Sequence, residues 1–174
     1  MPLSYNFKYY LLLPILMGVP SRRFRLWVMK KYHVRIGSNT VVCKNVSFRH
    51  GHNIKIGDNS VINSKVLLDG RGGKLSVGDH VDIAQESIIW TMSHDPQTHE
   101  AIGGDVTIGD YCWIGCRAMI MPGVSIGDSS ICAACAVITK NVESNSIYGG
   151  VPARKISDRN RTKDYCLSFN SKYR

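Results

Sequence analysis

Two histidines five residues apart stand in the polar stretch "TMSHDPQTHE", which runs from Thr91 to Glu100. Imidazole has an ordinary pKa of about 6.5, so near neutral pH it can take a proton from a hydroxyl or hold a metal ion. An alcohol is too weak an acid to attack a carbonyl unaided, and a base at this position would supply what it lacks. The competing expectation for His94 is an ordinary solvated loop residue. His99 could assist the same chemistry, orient the loop or stand by, and His33, His50, His52 and His80 read as spectators. Six cysteines add a second set of reactive groups. Cys112/Cys116 and Cys132/Cys135 have spacings that could suit metal or redox work, the second pair being a CxxC. A small thiol also packs well inside a protein, and that is the stronger reading for Cys112 and Cys132.

The elements that must position these groups follow from a repeat. Stepping by six from Ile108 meets Ile114, Ile120, Ile126, Cys132 and Ile138. Four residues after each of these sits a small or β-branched residue: Cys112, Ala118, Val124, Ser130, Ala136 and Val142. The same hexads occur upstream as Val77/Ile83/Ile89, Ile56/Ile62/Leu68 and Ile36/Val42/Phe48. A period of six fits neither a helix nor a simple alternating strand. It predicts a solenoid in which each hexad is a short strand and a turn. The first apolar residue points inward, the small one fills a corner, and Gly or Asp-Asn serves the turn. Three hexads make a coil, and about six coils at the usual strand spacing would stand about 25–30 Å tall. After Ile89 the next hexad begins nineteen residues on, at Ile108, so a loop leaves the coil at about residues 90–105 and carries both histidines.

"IGDYCWIGCRAMIMPGVSIGDSS", "AVITKNV" and "GGVPARKI" resemble the hexapeptide-repeat acyltransferases, in the branch of galactoside and maltose O-acetyltransferases and surface-polysaccharide enzymes. The likeness is strong over Ile56–Ile156, weaker over 36–55 and absent from both termini. It implies an all-β, left-handed parallel β-helix, a handedness that physics alone would not give, because parallel crossovers are nearly always right-handed. It also implies a homotrimer with acetyl-CoA bound between neighbouring prisms and no metal. His94, in the "IA…SH" context of Ile83, Ala84, Ser93 and His94, then takes the place of the general base. "CAACAVITK" stands where the family has a Gly-Ala-Gly-Ser-x-x-Thr-Lys run, so Ala134, Thr139 and Lys140 match donor-binding positions, with Ala133 and Cys135 replacing the flanking glycines. Arg154 falls at the family's spacing for a second phosphate contact. Ala84 and Cys116 match positions along the pantetheine arm, and Trp113 would wall the groove near the thioester. Asn63 matches an acceptor-site Asn; Asp69 and His99 are further acceptor candidates, although "DGRGGK" after Leu68 shifts the register. The fold also hosts carbonic anhydrases that hold zinc through three histidines, two of them five apart. The place for the third ligand holds Asp58 here, and a catalytic zinc wants three protein ligands.

Composition bounds the rest. At 174 residues, with 44% hydrophobic and 20% charged content, the chain can bury a core without disulfides. The net charge of +9 is uneven. Residues 1–35 hold seven Lys/Arg and no acid, 154–174 hold seven against two acids, and 36–153 hold eight against eleven. Basic termini on an acidic body argue against a nucleic-acid face. The expected organisation is a helical, apolar cap over 1–35, the β-helix over 36–156 and a basic tail over 157–174. "YYLLLPILMGV" is too short to cross a bilayer and is broken by Pro14. No small-residue cleavage site follows it to suggest a signal peptide. Ser21 could cap a helix with Phe24, Trp27 and Val28 on one face and Arg22, Arg25 and Lys30 opposite. That helix would serve as an end cap or as a foot on an anionic membrane surface. Nothing demands an oxidising compartment, so the expected location is cytoplasmic.

The leading functional expectation is acetyl-CoA-dependent O-acetylation of a sugar or saccharide hydroxyl by direct transfer. The alternatives are N-acetylation of a nucleotide-linked amino sugar and a β-helix scaffold without catalysis. The scaffold would have no use for the His94 loop or for the Lys140/Arg154 pair.

Overall fold

A computed structural model describes residues 7–160 of the chain. The hexads form a three-faced parallel β-helix of about six turns. The first face stacks Arg35–Ile36, Ile54–Ile56, Leu75–Val77, Val106–Ile108 and Ser125–Ile126. The second stacks Val41–Val42, Val61–Ile62, Asp82–Ile83, Trp113–Ile114, Ile131–Cys132 and Ser146–Gly150, with Ala153–Asp158 added antiparallel at its edge. The third stacks Ser47–Arg49, Leu67–Asp69, Ile88–Ile89, Met119–Ile120 and Val137–Ile138. Every inward hexad residue from Val42 to Ile138 is buried, as are the corner residues Cys112, Ala118, Val124, Ser130, Ala136 and Val142. One column of aliphatic side chains therefore runs the length of the prism and forms its core.

The recurring Gly-Asp pairs have a different task from the turn role expected of the glycine. A Cβ on Gly57 or Gly78 would lie 2.2 or 2.3 Å from the carboxylate of Asp79 or Asp110 in the next coil. Those carboxylates accept the backbone N–H of the coil before: Ser38 to Asp58 at 2.6 Å, Asp58 to Asp79 at 2.6 Å, Asp79 to Asp110 at 2.8 Å and Asp110 to Asp128 at 3.0 Å. Glycine makes room for this carboxylate ladder. The left-handed backbone conformation falls two residues after each glycine, on Asn39, Asn59, His80, Tyr111 and Ser129. A second corner does the same with Asn45, Lys65, Glu86, Arg117 and Cys135, and its Glu86 carboxylate is held below the usual range by Arg117 and Lys65.

The N-terminal segment covers the first coil. A π-wound turn, Phe7–Leu12, leads into an α-helix, Leu13–Gly18, and a second α-helix follows at Arg22–Lys31. Ser21 Oγ accepts the N–H of Phe24, as the capping pattern predicts. Leu13, Met17, Val28 and Met29 close the open end of the core. Arg25, expected on the outer face with Arg22 and Lys30, is instead buried. Its guanidinium donates to the carbonyl of Val42 at 2.9 and 3.1 Å, and to those of Val19 and Pro20 at 2.6 and 2.8 Å. The first coil has no neighbour below to take up its edge carbonyl, and Arg25 supplies the missing donors. Trp27, on the same apolar face as Phe24 and Val28, is exposed beside Phe24. Among the described residues no helix is long and apolar enough to cross a membrane. The basic tail after residue 160 lies outside the described residues.

Candidate active site

The excursion is a β-hairpin, more ordered than the loop expected over about 90–105. Met92–His94 pairs antiparallel with Ala101–Gly103, with His94 opposite Ala101. Its tip is fixed by Asp95, whose carboxylate accepts the N–H groups of Gln97 and Thr98 at 2.8 and 3.0 Å and is held below the usual range by them. His99, with φ of 59°, donates its N–H to the Asp95 carbonyl. His94 is exposed on one rail of the hairpin and His99 lies at the end of the turn. No group of three His, Cys, Asp or Glu side chains able to hold a metal gathers among the described residues.

The root of the hairpin is rigid. Thr91 is fully buried, donates its hydroxyl to the Asp69 carbonyl at 2.8 Å and accepts the Gly72 N–H at 3.1 Å. A Cβ on Gly103 would lie 2.1 Å from the Gly72 carbonyl oxygen, and one on Gly72 would lie 2.2 Å from that of Thr91. The "DGRGGK" segment is thus a strap against which the hairpin leaves the prism. Asp69, expected to meet an acceptor, has a fully buried side chain paired with Arg71 at 2.8 Å, and it also accepts the Arg71 N–H. Its carboxylate is engaged in holding the strap. Thr91, Gly72 and Arg71 were not among the expected site residues; the register break in "DGRGGK" was the signal for Arg71 and Gly72.

Asn63 lies on the second face. Its amide donates to Asp82 at 2.8 Å and to the Ile83 carbonyl at 3.0 Å. Asp82 is half-buried, and desolvation pushes its carboxyl above the usual range although the Asn63 hydrogen bond pulls the other way. In register above Asp82 stands Trp113, with 47% of its surface exposed.

The expected donor-binding residues fall in two groups. Ala84, Gly115, Ala133 and Gly149 form one column beside the second face, joined through the N–H groups of Ala84, Gly115 and Ala133. Cys116 and Ala134 stand next to it at the following corner, where Cys135 donates its N–H to the Cys116 carbonyl at 2.9 Å. A Cβ on Gly115 would lie 2.5 Å from Ala134 N, so this column tolerates only small residues. Thr139 and Lys140 are exposed at the corner after the third face, which is also the corner that launches the hairpin two coils earlier. Arg154 is exposed on Ala153–Asp158, with Nη1 donating to the Ala153 carbonyl at 2.9 Å. Cys112 and Cys132 are buried, and burial pushes their thiols up to about 11 and about 12. They pack in the core, as the hexad position requires.

An exposed histidine thus stands on a hairpin rooted in a three-faced β-helix, with a column of small residues on its second face. The family model of the bacterial transferase hexapeptide (six repeats) matches residues 105–140. Galactoside O-acetyltransferase of Escherichia coli is 34% identical over 146 residues, covering 79% of this chain and 70% of that protein. The crystal structure of galactoside acetyltransferase in complex with coenzyme A aligns with a TM-score of 0.78 at 27% identity, covering 97% and 92% of the two chains. A hexapeptide-repeat acetyltransferase of Vibrio cholerae, solved with acetyl coenzyme A, aligns with a TM-score of 0.77 at 29% identity, covering 86% and 85%. The chain belongs to the hexapeptide-repeat acetyltransferases, and its fold is their left-handed parallel β-helix.

Proposed function

We propose that the protein transfers an acetyl group from acetyl-CoA directly to a hydroxyl of a sugar or saccharide, with His94 as general base. The observation that carries this reading is His94 itself: an exposed imidazole on a braced hairpin, in a family with members solved in complex with acetyl-CoA and with CoA. The imidazole takes the hydroxyl proton as the oxygen attacks the thioester carbonyl. The tetrahedral intermediate collapses with loss of the CoA thiolate, and the imidazolium returns the proton to that sulfur. Asn63 steadies the acceptor or the developing oxyanion. Asp69 serves through the strap it holds, and His99 borders the acceptor at the hairpin tip.

Ala84, Cys116 and Ala134 let the pantetheine arm approach the backbone, Trp113 walls the thioester end, and Thr139, Lys140 and Arg154 receive the phosphates. Such a ligand needs a cleft, and one prism is convex. A cavity of 130 Å³ lies between the N-terminal helices and the first coil, lined by Tyr9, Leu13, Pro14 and Phe48, and it contains none of these residues. Pockets for ligands of drug size run to about 300–1,000 Å³. The cleft therefore forms between prisms of a homotrimer, with His94 from one subunit and donor-binding residues from its neighbour. The reading includes a cytoplasmic enzyme whose N-terminal segment rests on an anionic membrane surface; exposed Phe7, Leu11 and Ile15, four residues apart along one side, support that contact.

The test is acetyl transfer from acetyl-CoA to a panel of saccharides, nucleotide-linked amino sugars and amino acids, with the wild type and His94→Ala. The expected result is transfer to a saccharide hydroxyl and a loss in kcat of about 10²–10⁴ in the variant, without dissociation of the trimer. Near-wild-type turnover in His94→Ala would remove His94 from the mechanism, and transfer to amines alone would replace the O-acetylation reading.

A further inference from the structure

The outward row of the second face reads Val41, Val61, Asp82, Trp113, Ile131 and Ile147 in register from coil to coil. Five of its six side chains are apolar, and the sixth is a carboxylate. An acid in such a row is costly, because burial disfavours its charged form. The cost is present here: Asp82 is half-buried, and desolvation is the largest influence on its titration. The structure offers it little in return. One oxygen accepts a hydrogen bond from Asn63 at 2.8 Å, and the other has no partner among the described residues. Asn63 does not depend on it either, since its amide also donates to the Ile83 carbonyl at 3.0 Å. The Cys43 thiol lies 4.0 Å from Asn63 Oδ1, and the Arg25 guanidinium, whose charge acts on Cys43, is taken up by three carbonyl groups. Locally, then, an apolar residue would serve the fold better than Asp82 does.

Asp82 is the cross-strand neighbour of Trp113, whose side chain is 47% exposed. An aromatic face next to a carboxylate matches a pyranose. The C–H side of the sugar ring lies on the aromatic, and adjacent hydroxyls donate to the acid. A second anion brought to the same place would be repelled in a poorly solvated setting. We propose that Asp82 selects the acceptor. It accepts hydrogen bonds from neighbouring hydroxyls of an uncharged pyranoside lying against Trp113, and it excludes acidic sugars. This rests on the saccharide-acceptor reading above and adds to it a residue, a charge preference and a platform.

The experiment measures binding without chemistry. Methyl β-D-galactopyranoside and its uronate counterpart, methyl β-D-galacturonoside, are titrated calorimetrically into the trimer holding coenzyme A, which has no acetyl group to transfer. The wild type should bind the neutral glycoside and discriminate against the uronate. Asp82→Asn should weaken the neutral glycoside about 10- to 100-fold, the usual effect of losing a charged hydrogen-bond partner, and should abolish the discrimination. Asp82→Leu should abolish saccharide binding and raise the melting temperature, the opposite of what a structural carboxylate would do.

The proposal is overturned if the wild type does not bind the neutral glycoside saturably. It is equally overturned if either folded variant keeps the wild-type Kd, or if Asp82→Asn keeps the preference for the neutral sugar. Should Asp82→Leu fail to fold, Asp82→Asn decides alone. Asp82-dependent binding without acetyl transfer would preserve this inference while the transfer reading fails. Transfer to a saccharide with no dependence on Asp82 would do the reverse.

Discussion

Thr91→Val removes the hydroxyl at the root of the His94 hairpin while leaving the space filled. Thr91 Oγ1 makes two hydrogen bonds at full burial, giving one to the Asp69 carbonyl at 2.8 Å and taking one from Gly72 N–H at 3.1 Å. Valine opens no cavity, so the loss is that of two buried polar groups left without these partners. A buried group stripped of its partner costs about 1–3 kcal/mol, which puts the pair at about 2–4 kcal/mol if the strap relaxes a little. The cheapest relaxation is separation of the hairpin root from Gly72, because the stacked coils on either side are fixed by their own ladders. That motion displaces His94, and each 1.4 kcal/mol of lost positioning is about tenfold in rate. The variant should therefore lose about tenfold or more in kcat, with KM for acetyl-CoA little changed. Amide exchange should quicken in residues 91–104 before it does elsewhere. Thr91→Ser, which keeps the hydroxyl, should stay close to wild type in kcat. Urea unfolding, steady-state kinetics and hydrogen exchange on the three proteins read these outcomes. A Thr91→Val protein with wild-type kcat, less than about 0.5 kcal/mol of destabilisation and unchanged exchange would refute the idea that this hydroxyl holds the catalytic arm.

Lys140→Ala and Arg154→Ala should raise KM for acetyl-CoA with little change in kcat, because they hold a remote end of the donor. Their effect should shrink with a donor lacking the 3′-phosphate, and an unchanged KM in the double variant would make them ordinary surface charges. Alkylation read by peptide mass spectrometry should reach exposed Cys135 first and leave Cys112 and Cys132 untouched until unfolding, since burial holds their thiols at about 11 and about 12. Acetyl-CoA should protect Cys116; equal labelling with and without it would remove Cys116 from the donor groove.

The hexad gave away the architecture because it reports burial directly. A residue that must face a one-column core every sixth position leaves a mark no local propensity can hide, and Ile108 through Ile138 lie where that mark puts them. Arg25 was misread for the opposite reason. Helical spacing sorts charged from apolar faces, but it cannot see that the helix meets unpaired carbonyls at the end of a solenoid, where a guanidinium is the better filler. Asp69 was expected to meet an acceptor, and what the sequence could not show is that Arg71, two residues on, turns back to pair with its buried carboxylate. Asp82 drew no notice in the sequence, because the second of two acids in "VGDHVDIA" looks like any solvated strand residue until the register sets it between Val61 and Trp113.

The corner that launches His94 is built up before the histidine appears. The first coil adds a short turn there, Gly51–Asn53, the second adds the strap 70–73, and the third adds the hairpin. Each rests on the one before. Asn53 donates its side-chain amide to the Gly70 carbonyl at 2.8 Å, and Gly72 and Gly73 meet Thr91 and Asp105 at distances that leave no room for a Cβ. Above the hairpin the corner closes tightly at Pro122-Gly123, with Gly104 pressed against Gly123 N. The hairpin is thus held from below by a staircase and from above by a flush turn. A side chain on a free loop would pay in ordering entropy each time it met a substrate. His94 is ordered in advance, by contacts made of glycine, threonine and backbone that do no chemistry themselves.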